Sequence, residues 1–151
     1  MSQSFILVSL ICCLPLAGML MNLWLKKYVA STSTLVLFII NILVFFFISQ
    51  HETQIESCLI WFKLQNFSIE LNYYINRDSI ILLPVVSMIS FLVHFFSIGY
   101  MAHEKSLSRY FNGLLFFTAS MLLFVCSGNL IVIFLAWECL GLASYLLIGF
   151  Y

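Results

Sequence analysis

Five stretches of apolar residues, each as long or nearly as long as a membrane helix, most constrain the fold of this chain. A helix needs about 20 apolar residues to cross a hydrocarbon core about 30 Å thick. We predict membrane helices at residues 5–25, 33–49, 79–101, 110–127 and 129–151. Pro15 and Pro84 fall inside two of them, which bilayer helices tolerate. The pattern predicts an all-α polytopic membrane protein with a single membrane domain.

The scarcity of charge supports a membrane protein. Hydrophobic residues make up 64% of the 151 residues, charged residues make up 8%, and the mean hydropathy is +1.12. About a quarter of the residues of a soluble domain are charged. This composition excludes a soluble, secreted or disordered protein, and a net charge of zero offers no basic surface for nucleic acid.

The cysteines and glycines indicate no metal site and no cofactor. The five cysteines form no C-x-x-C pair, so we interpret them as small hydrophobic residues. They are Cys12, Cys13, Cys58, Cys126 and Cys139. Since no glycine-rich phosphate loop follows a strand, we predict no bound NADH, quinone or other cofactor.

The distribution of lysine and arginine predicts how the chain is oriented. Four of the six bases lie in the connections after the first and third helices: Lys26, Lys27, Lys105 and Arg109. Five crossings place these connections on one side of the membrane, and the acid-rich loop 50–78 on the other. The positive-inside rule then predicts an outer N-terminus, an outer loop 50–78 and an inner C-terminus.

The loop 50–78 contains a pattern typical of β-strands. Apolar and polar residues alternate over 67–75 and over 60–65, and Gln65 and Asn66 interrupt the alternation. We predict a short β-hairpin that lies over the outer ends of the helices. The alternative is an irregular amphipathic loop.

Glu138 is the only acidic or basic residue inside the predicted helices other than histidine. It lies nine residues after Asn129, so about 13 Å from one end of its helix and close to the membrane midplane. A charge there costs about 2.5 to 3.5 kcal/mol, and such residues usually face a bundle interior, a partner or water. Glu138 is therefore the candidate catalytic group, for proton transfer.

Two opposing effects would let Glu138 exchange a proton. Burial favours the neutral acid, whereas a lysine close by favours the carboxylate. Gly141, Ser144 and Tyr145 follow on what we predict to be one small, polar side of the helix. No lysine of this chain lies at membrane depth, so the base must come from elsewhere. The alternative is a neutral glutamate that only ties helices together by hydrogen bonds.

His94 is the second candidate for proton transfer, as a relay. It lies seven residues before Met101, about 10 Å from the inner end of the third helix. An imidazole can relay protons near neutral pH. The alternative is a buried histidine whose ring is satisfied by a neighbouring hydroxyl or carbonyl group. Asn22 and Asn41 are predicted to form interhelical hydrogen bonds only.

Several segments resemble NADH dehydrogenase subunit 5, an antiporter-like subunit of respiratory complex I. The run AWECLGLASYLLIGFY around Glu138 is similar to the fifth helix of that family. The strings RDSIILLPVVSMISFLVHFFSIGYM and RYFNGLLFFTASMLLFVCSGNL are similar to its third and fourth helices, and LPLAG to part of its first. Cys139 and Leu140 stand where the family often has Gly and Val.

The resemblance implies a role, a location and partners. Glu138 matches the essential glutamate of the family's fifth helix, and the hairpin would face the intermembrane space. Family members continue with helices that carry the paired lysine, for which this sequence has no matching position. We therefore expect a split subunit of the mitochondrial inner membrane, completed by a separate chain. Its other expected partners are the membrane-arm subunits and lipids such as cardiolipin.

Three functions are compatible with these residues. The first is the N-terminal piece of a proton-translocating subunit that couples NADH:ubiquinone electron transfer to proton pumping, without redox chemistry in the chain itself. The second is a component of a multi-subunit cation/proton antiporter, whose family shares these helices. The third is a structural accessory membrane subunit.

Overall fold

The structure, a computed structural model, contains five long helices and one two-stranded sheet. It describes the backbone of residues 3–25, 28–49, 55–64, 67–104 and 106–150, and side-chain surroundings for 6–25, 28–49, 72–104 and 106–150. The elements are α1 Gln3–Trp24, α2 Val29–Ser49, β1 Ile55–Leu64, β2 Phe67–Ile75, α3 Arg77–Tyr100, α4 Leu107–Cys126 and α5 Leu130–Ile148. All five helices are long and apolar enough to cross a membrane, which confirms the predicted fold class.

Helices α2 and α3 begin earlier than hydropathy predicts because polar residues fit into their first turns. The side-chain oxygen of Asn76 accepts a hydrogen bond from the Ser79 backbone N–H at 2.8 Å, so α3 begins at Arg77. In α2, Ser33 Oγ donates to the Val29 carbonyl at 2.7 Å. This bond to the preceding turn satisfies the hydroxyl within the helix.

The ends of α5 are set by residues of two different kinds. Asn129 caps the N-terminus, where its side-chain oxygen accepts from the Val132 N–H at 2.9 Å. At the other end, the N–H of Gly149 donates to the carbonyl of Tyr145 at 2.9 Å and closes the last turn. The helix therefore ends at Ile148, three residues before the predicted boundary.

Helix α4 is the centre of the bundle. Helices α1, α2 and α3 pack side by side and each of them contacts α4, whereas α5 packs on another side of α4. Among the described elements α5 contacts α4 and β2 and no other helix. The core between α1, α2, α3 and α4 includes Val8, Ile11, Leu37, Ile40, Leu83, Leu115 and Leu122.

The predicted hairpin is present. Strands β1 and β2 pair antiparallel in a register that joins Leu64 to Phe67 and Ile55 to Ile75, with an irregularity between Ile60 and Phe62. The predicted turn at residues 65–66 lies outside the described residues. By chain connectivity the hairpin covers the end of the bundle where α3 begins, which we call the hairpin end; α4 begins at the opposite end. Which end faces outward stays a prediction.

The hairpin is fixed to the bundle at the connection between α4 and α5. The N–H of Gly128 donates to the Asn72 carbonyl at 2.7 Å, and Tyr73 forms an isolated β-bridge with Ser127. A Cβ atom on Gly128 would lie 2.8 Å from the Asn72 carbonyl oxygen. This close approach of two backbones requires a glycine.

Candidate functional site

The structure places Glu138 on the side of α5 that points away from α4. Val132, Ala136 and Ala143 are buried and form the α5 surface that packs on α4. Successive residues turn by about 100°, so Glu138 lies about 200° from Ala136 around the helix. Its side chain is correspondingly exposed. The acid therefore faces outward from this chain and away from the interior of its five-helix bundle.

The face around Glu138 is otherwise apolar and open. Its exposed neighbours above and below on α5 include Phe134, Leu142 and Tyr145, which is 73% exposed. A Cβ atom added to Gly141 would meet no described atom within 4 Å, so nothing in the described part of this chain packs against it. We call this surface, residues Phe134, Glu138, Gly141, Leu142 and Tyr145, the open face of α5. A carboxylate at its centre needs protein or water to cover it, because lipid tails cannot solvate it.

Ser144 does not belong to the open face of α5. The sequence pattern grouped it with Gly141 and Tyr145, but it is half-buried and its Oγ donates to the Gly141 carbonyl at 2.8 Å. Six residues separate it from Glu138, which places it about 120° away around the helix. The small, polar side of the helix near Glu138 is therefore narrower than predicted.

The part of the chain that the structure describes brings no base to Glu138. Arg109 lies in the first turn of α4 and donates from a guanidinium nitrogen to the Phe150 carbonyl at 2.8 Å. Phe150 is twelve residues beyond Glu138, so about 18 Å away along the chain direction of α5. No basic side chain among the described residues therefore serves as the expected cation.

His94 is buried between α3 and α4, and 1% of its surface is exposed. Its Nδ1 lies 2.9 Å from the Ser90 carbonyl oxygen, one turn back on α3, so the neutral ring donates from Nδ1–H. Its Nε2 is buried without a hydrogen-bond partner among the described residues. The ring packs at 6.0 Å from the Phe111 ring. One of the two ring nitrogens is thus satisfied by a carbonyl group and the other is not.

The structure does not bring His94 and Glu138 together. His94 lines a cavity of about 150 Å³ with Thr118 of α4 and Leu147 of α5. Leu147 lies nine residues beyond Glu138, a rise of about 13 Å along α5. The two candidates therefore differ in depth, and Glu138 points away from α4 whereas His94 is buried against it. A proton could pass between them only through further groups.

The predicted interhelical bonds of Asn22 and Asn41 are confirmed. Asn22 is fully buried; its Nδ2 donates to Ser33 Oγ of α2 at 2.9 Å and to Asn112 Oδ1 of α4 at 2.8 Å. Asn41 of α2 donates to the Ser87 carbonyl of α3 at 3.1 Å. These bonds cross-link α1 with α2 and α4, and α2 with α3.

The described cysteines have the surroundings expected of small hydrophobic side chains. Cys12 of α1 and Cys126 of α4 are buried in contact with each other, Cys139 is half-buried, and Cys13 is exposed on the apolar surface. The side chain of Cys58 lies outside the described residues. Within the described residues no three His, Cys, Asp or Glu side chains gather as a metal site would require.

One polar feature was not predicted as a site. Arg109, Asn112, Gly113 and Phe116 line a groove of about 370 Å³ at the end of the bundle opposite the hairpin. From the sequence, Arg109 was expected to matter only for the orientation of the chain. The spacing i, i+3, i+4 and i+7 already places these four residues on one face of a helix, which was the available signal.

Sequence comparisons connect the chain to respiratory NADH dehydrogenases. Residues 61–111 match the family described as NADH-ubiquinone oxidoreductase (complex I), chain 5 N-terminus. NADH-quinone oxidoreductase subunit L of Escherichia coli K12 is 38% identical over 106 residues, which cover 70% of this chain and 17% of that protein. Subunit L of Rickettsia bellii is 33% identical over 148 residues, covering 91% of this chain and 23% of that protein.

A chloroplast relative and a solved structure extend the comparison. The chloroplastic NAD(P)H-quinone oxidoreductase subunit 5 of Chaetosphaeridium globosum is 35% identical over 130 residues, covering 84% of this chain and 19% of that protein. The Mrp complex of Dietzia sp. DQ12-45-1b contains a chain with a TM-score of 0.78 and 18% identity; the match covers 98% of this chain and 16% of that one. At that identity the likeness shows the fold alone.

The matches cover only part of the relatives. The chain spans about a fifth of the length of these subunits. The family match at residues 61–111 includes His94 and ends before Glu138. Together the comparisons confirm the resemblance: the chain is related to the N-terminal part of subunit 5 of complex I, which is named subunit L in bacteria.

Proposed function

We propose that this chain is the N-terminal part of a proton-translocating, antiporter-like subunit of NADH:quinone oxidoreductase, and that Glu138 takes up and releases the proton. The observation that carries the proposal is the position of Glu138 at mid-helix on the open face of α5. An ionisable group at this depth is costly and usually marks a proton or ion pathway. The named relatives, all subunits of such oxidoreductases, support the assignment.

The proposed step is a simple protonation equilibrium of the carboxyl group. A lysine from protein outside these residues lies against the open face and stabilises the carboxylate. When the lysine withdraws, the carboxylate binds one proton and becomes neutral, because an unpaired charge at this depth is unfavourable. The return of the lysine releases that proton. Electron transfer in other subunits would supply the energy, and no redox step is proposed for this chain.

His94 is proposed as a secondary relay on the α3 side of α4. Its neutral ring offers Nε2 as a buried acceptor next to the small cavity that it shares with Thr118. Because His94 lies far from Glu138, a relay role requires water or side chains between them. The variant His94→Gln, which keeps a polar group, should pump more protons than His94→Phe if His94 relays protons; equal pumping by both would contradict the relay.

The proposed location is the mitochondrial inner membrane, with the hairpin end in the intermembrane space. Cys58 in β1 tests this orientation, because a membrane-impermeant thiol reagent should label it from that side and should not label a Cys58→Ser variant. Labelling from the matrix side alone would reverse the topology.

We further propose that a separate chain supplies the helices that cover the open face and the lysine that pairs with Glu138. The polar carboxyl group and the absence of packing at Gly141 among the described residues support a protein partner there. The intact mass of the polypeptide isolated from the native complex tests the split. A mass well above that of these 151 residues would instead place the covering helices on the same polypeptide.

The decisive experiment replaces Glu138 by Gln, which keeps size and hydrogen bonding but removes the titration. We expect an assembled enzyme that pumps fewer protons per NADH oxidised. The matched control is Glu104→Gln, because Glu104 is an exposed acid in the α3–α4 connection. Undiminished pumping by fully assembled Glu138→Gln enzyme would contradict the proposal and favour the accessory-subunit function. Copurification with sodium-dependent transport instead of NADH oxidation would favour the antiporter component.

A further inference from the structure

A small cavity lies between α3, α4 and α5, beside the ring of His94. Its volume is about 150 Å³, and its lining includes Ser90 and His94 of α3, Thr118 of α4 and Leu147 of α5. The cavity exists because α3 and α5 both pack on α4 without contacting each other in the described part of the chain. His94 is six residues before the end of α3, about 9 Å along the helix, so the cavity lies below the membrane surface.

The imidazole ring of His94 is oriented by its own helix. Its Nδ1 lies 2.9 Å from the Ser90 carbonyl oxygen, which can only accept, so Nδ1 carries the proton of the neutral ring. Its Nε2 is then an acceptor and lies on another edge of the ring. The ring itself packs against α4, where the centre of the Phe111 ring is 6.0 Å away. The acceptor is therefore held in a fixed position between the two helices.

No group among the described residues donates a hydrogen bond to this Nε2, although the atom is buried. The hydroxyl of Thr118 across the cavity donates instead to the Leu114 carbonyl at 2.9 Å. The hydroxyl of Ser97, one turn further along α3, donates to the Val93 carbonyl at 2.7 Å. Because an unpaired buried acceptor is unfavourable, a donor from outside these side chains is expected at Nε2.

Two further polar groups at the cavity complete a set of partners for water. Thr118 Oγ1 has committed its proton to its own helix, but its lone pairs can still accept a hydrogen bond. Ser90 also lines the cavity, and its hydroxyl group can donate or accept. A buried water typically forms about three hydrogen bonds to polar groups that would otherwise lack a partner. His94, Thr118 and Ser90 supply that number.

The size of the cavity suits water better than a larger ligand. A water molecule occupies about 30 Å³ in the liquid, so a cavity of about 150 Å³ holds a few molecules. Sites for larger organic ligands have volumes of about 300 Å³ or more. An entirely apolar cavity of this size would stay dry, whereas an unpaired nitrogen in the wall favours hydration.

We propose that this cavity is a binding site for ordered water, in which one molecule donates hydrogen bonds to His94 Nε2 and to Thr118 Oγ1. The water pairs the buried nitrogen and links α3 to α4 at a level where no direct side-chain bond among the described residues joins His94 to α4. Such a site would exist whether or not Glu138 exchanges protons. It would also provide the neighbouring proton carrier that a relay at His94 needs.

The first test is a cryo-EM map of the native complex that contains this chain, at a resolution that shows ordered water. We expect a water peak within hydrogen-bond distance of both His94 Nε2 and Thr118 Oγ1, about 2.7–3.2 Å from each. A map that shows ordered water elsewhere in the membrane domain but none at Nε2 would overturn the proposal.

The second test detects the same water chemically in the native complex. X-ray radiolysis converts bound water into hydroxyl radicals, which oxidise the nearest side chains, and mass spectrometry locates the products. We expect oxidation of Phe117, an aromatic residue in the cavity lining. Absence of oxidation at Phe117 in the parent complex would contradict a bound water.

Variants of the polar groups separate this site from general effects. His94→Leu removes the acceptor and should abolish oxidation of Phe117, whereas His94→Gln, which keeps a polar group, should retain it. Thr118→Val keeps the shape of the side chain and should reduce the oxidation. The matched control is Ser120→Ala, because Ser120 is also buried on α4 and bonded to its own helix but does not line the cavity. Equal oxidation in the parent and in both His94→Leu and Thr118→Val would overturn the site.

Two other occupants would be recognised by the same experiments. A side chain of a neighbouring subunit that donates to Nε2 in the map would replace the water and overturn the proposal. An acyl chain that fills the cavity, together with an unoxidised Phe117, would do the same.

Discussion

Asn22 of α1 and Asn112 of α4 are joined by a hydrogen bond of 2.8 Å across the α1–α4 contact. Asn22 also donates to Ser33 Oγ and accepts from Thr32 Oγ1 at 2.6 Å, so one side chain holds three helices together. Interhelical polar bonds in membranes contribute about 1–2 kcal/mol in simple peptides. We expect Asn22→Ala to lower the free energy of unfolding by this amount, measured by denaturing-detergent titration.

The control for this prediction is Ser49→Ala. Ser49 is exposed and its Oγ donates to the Phe46 carbonyl of its own helix at 2.7 Å, so its loss should leave helix association unchanged. An equal effect of both substitutions would show that the asparagine network adds nothing to helix packing.

Gly128 is predicted to be required for attachment of the hairpin. Alanine there would bring its Cβ within 2.8 Å of the Asn72 carbonyl oxygen, and both backbones would have to separate. We expect Gly128→Ala to cost about 1–3 kcal/mol of unfolding free energy and to increase proteolysis of the hairpin. Gly99→Ala is the control, because no described atom lies within 4 Å of that position; equal sensitivity of both variants would contradict the close approach.

The open face of α5 is predicted to be an assembly surface. Gly141 has open space around it, so Gly141→Trp should leave the fold of this chain intact. In the native complex the same substitution should reduce incorporation of the chain, measured by native gel electrophoresis, because the indole would collide with the covering protein. The comparison variant is Gly99→Trp, because Gly99 of α3 is also surrounded by open space. Normal incorporation of Gly141→Trp would mean that lipid covers this face.

Tyr73 is predicted to titrate late. Burial, together with the nearby Cys12, Cys13 and Cys126, raises the pKa of its phenol to about 12. Because the phenol of the unfolded chain ionises near pH 10, the raised pKa means that Tyr73 contributes fully to stability below that pH. The contribution is lost as the pH rises from about 10 to about 12. Tyrosinate absorbance should include a late component that is absent from Tyr73→Phe; its absence from the parent protein would contradict burial of Tyr73.

Much of the fold follows from the sequence because hydropathy and alternation are local properties. Five apolar runs specify five helices, and the alternation before and after Gln65 specifies two strands. The helix ends were less predictable. Asn76 is polar and lies outside the apolar run, yet it caps α3 and extends that helix. Ser33 is the first residue of another apolar run, yet its bond to the preceding turn extends α2.

The direction of each side chain around a helix was the part that the sequence could not specify. In α5 nearly every residue is apolar, so no polar stripe marks the side that packs on α4. Sequence analysis located Glu138 along its helix, but only the packing of Ala136 and Ala143 reveals that it faces away from α4. The difference in depth between His94 and Glu138 follows from their positions along the helices, but the side of the bundle that each one faces depends on the same packing and was equally out of reach.

The attachment of α5 to a single neighbouring helix within the described residues has a consequence for how the acid is positioned. Core side chains shared among α1, α2, α3 and α4 hold those four helices together, whereas the tilt and rotation of α5 depend on its contact with α4 and a smaller contact with β2. A protein that packs beside Glu138 would therefore also orient α5. In the proposed function, the geometry of proton exchange is then completed by assembly rather than by folding, and a poorly docked partner would misplace the carboxyl group even in a perfectly folded chain.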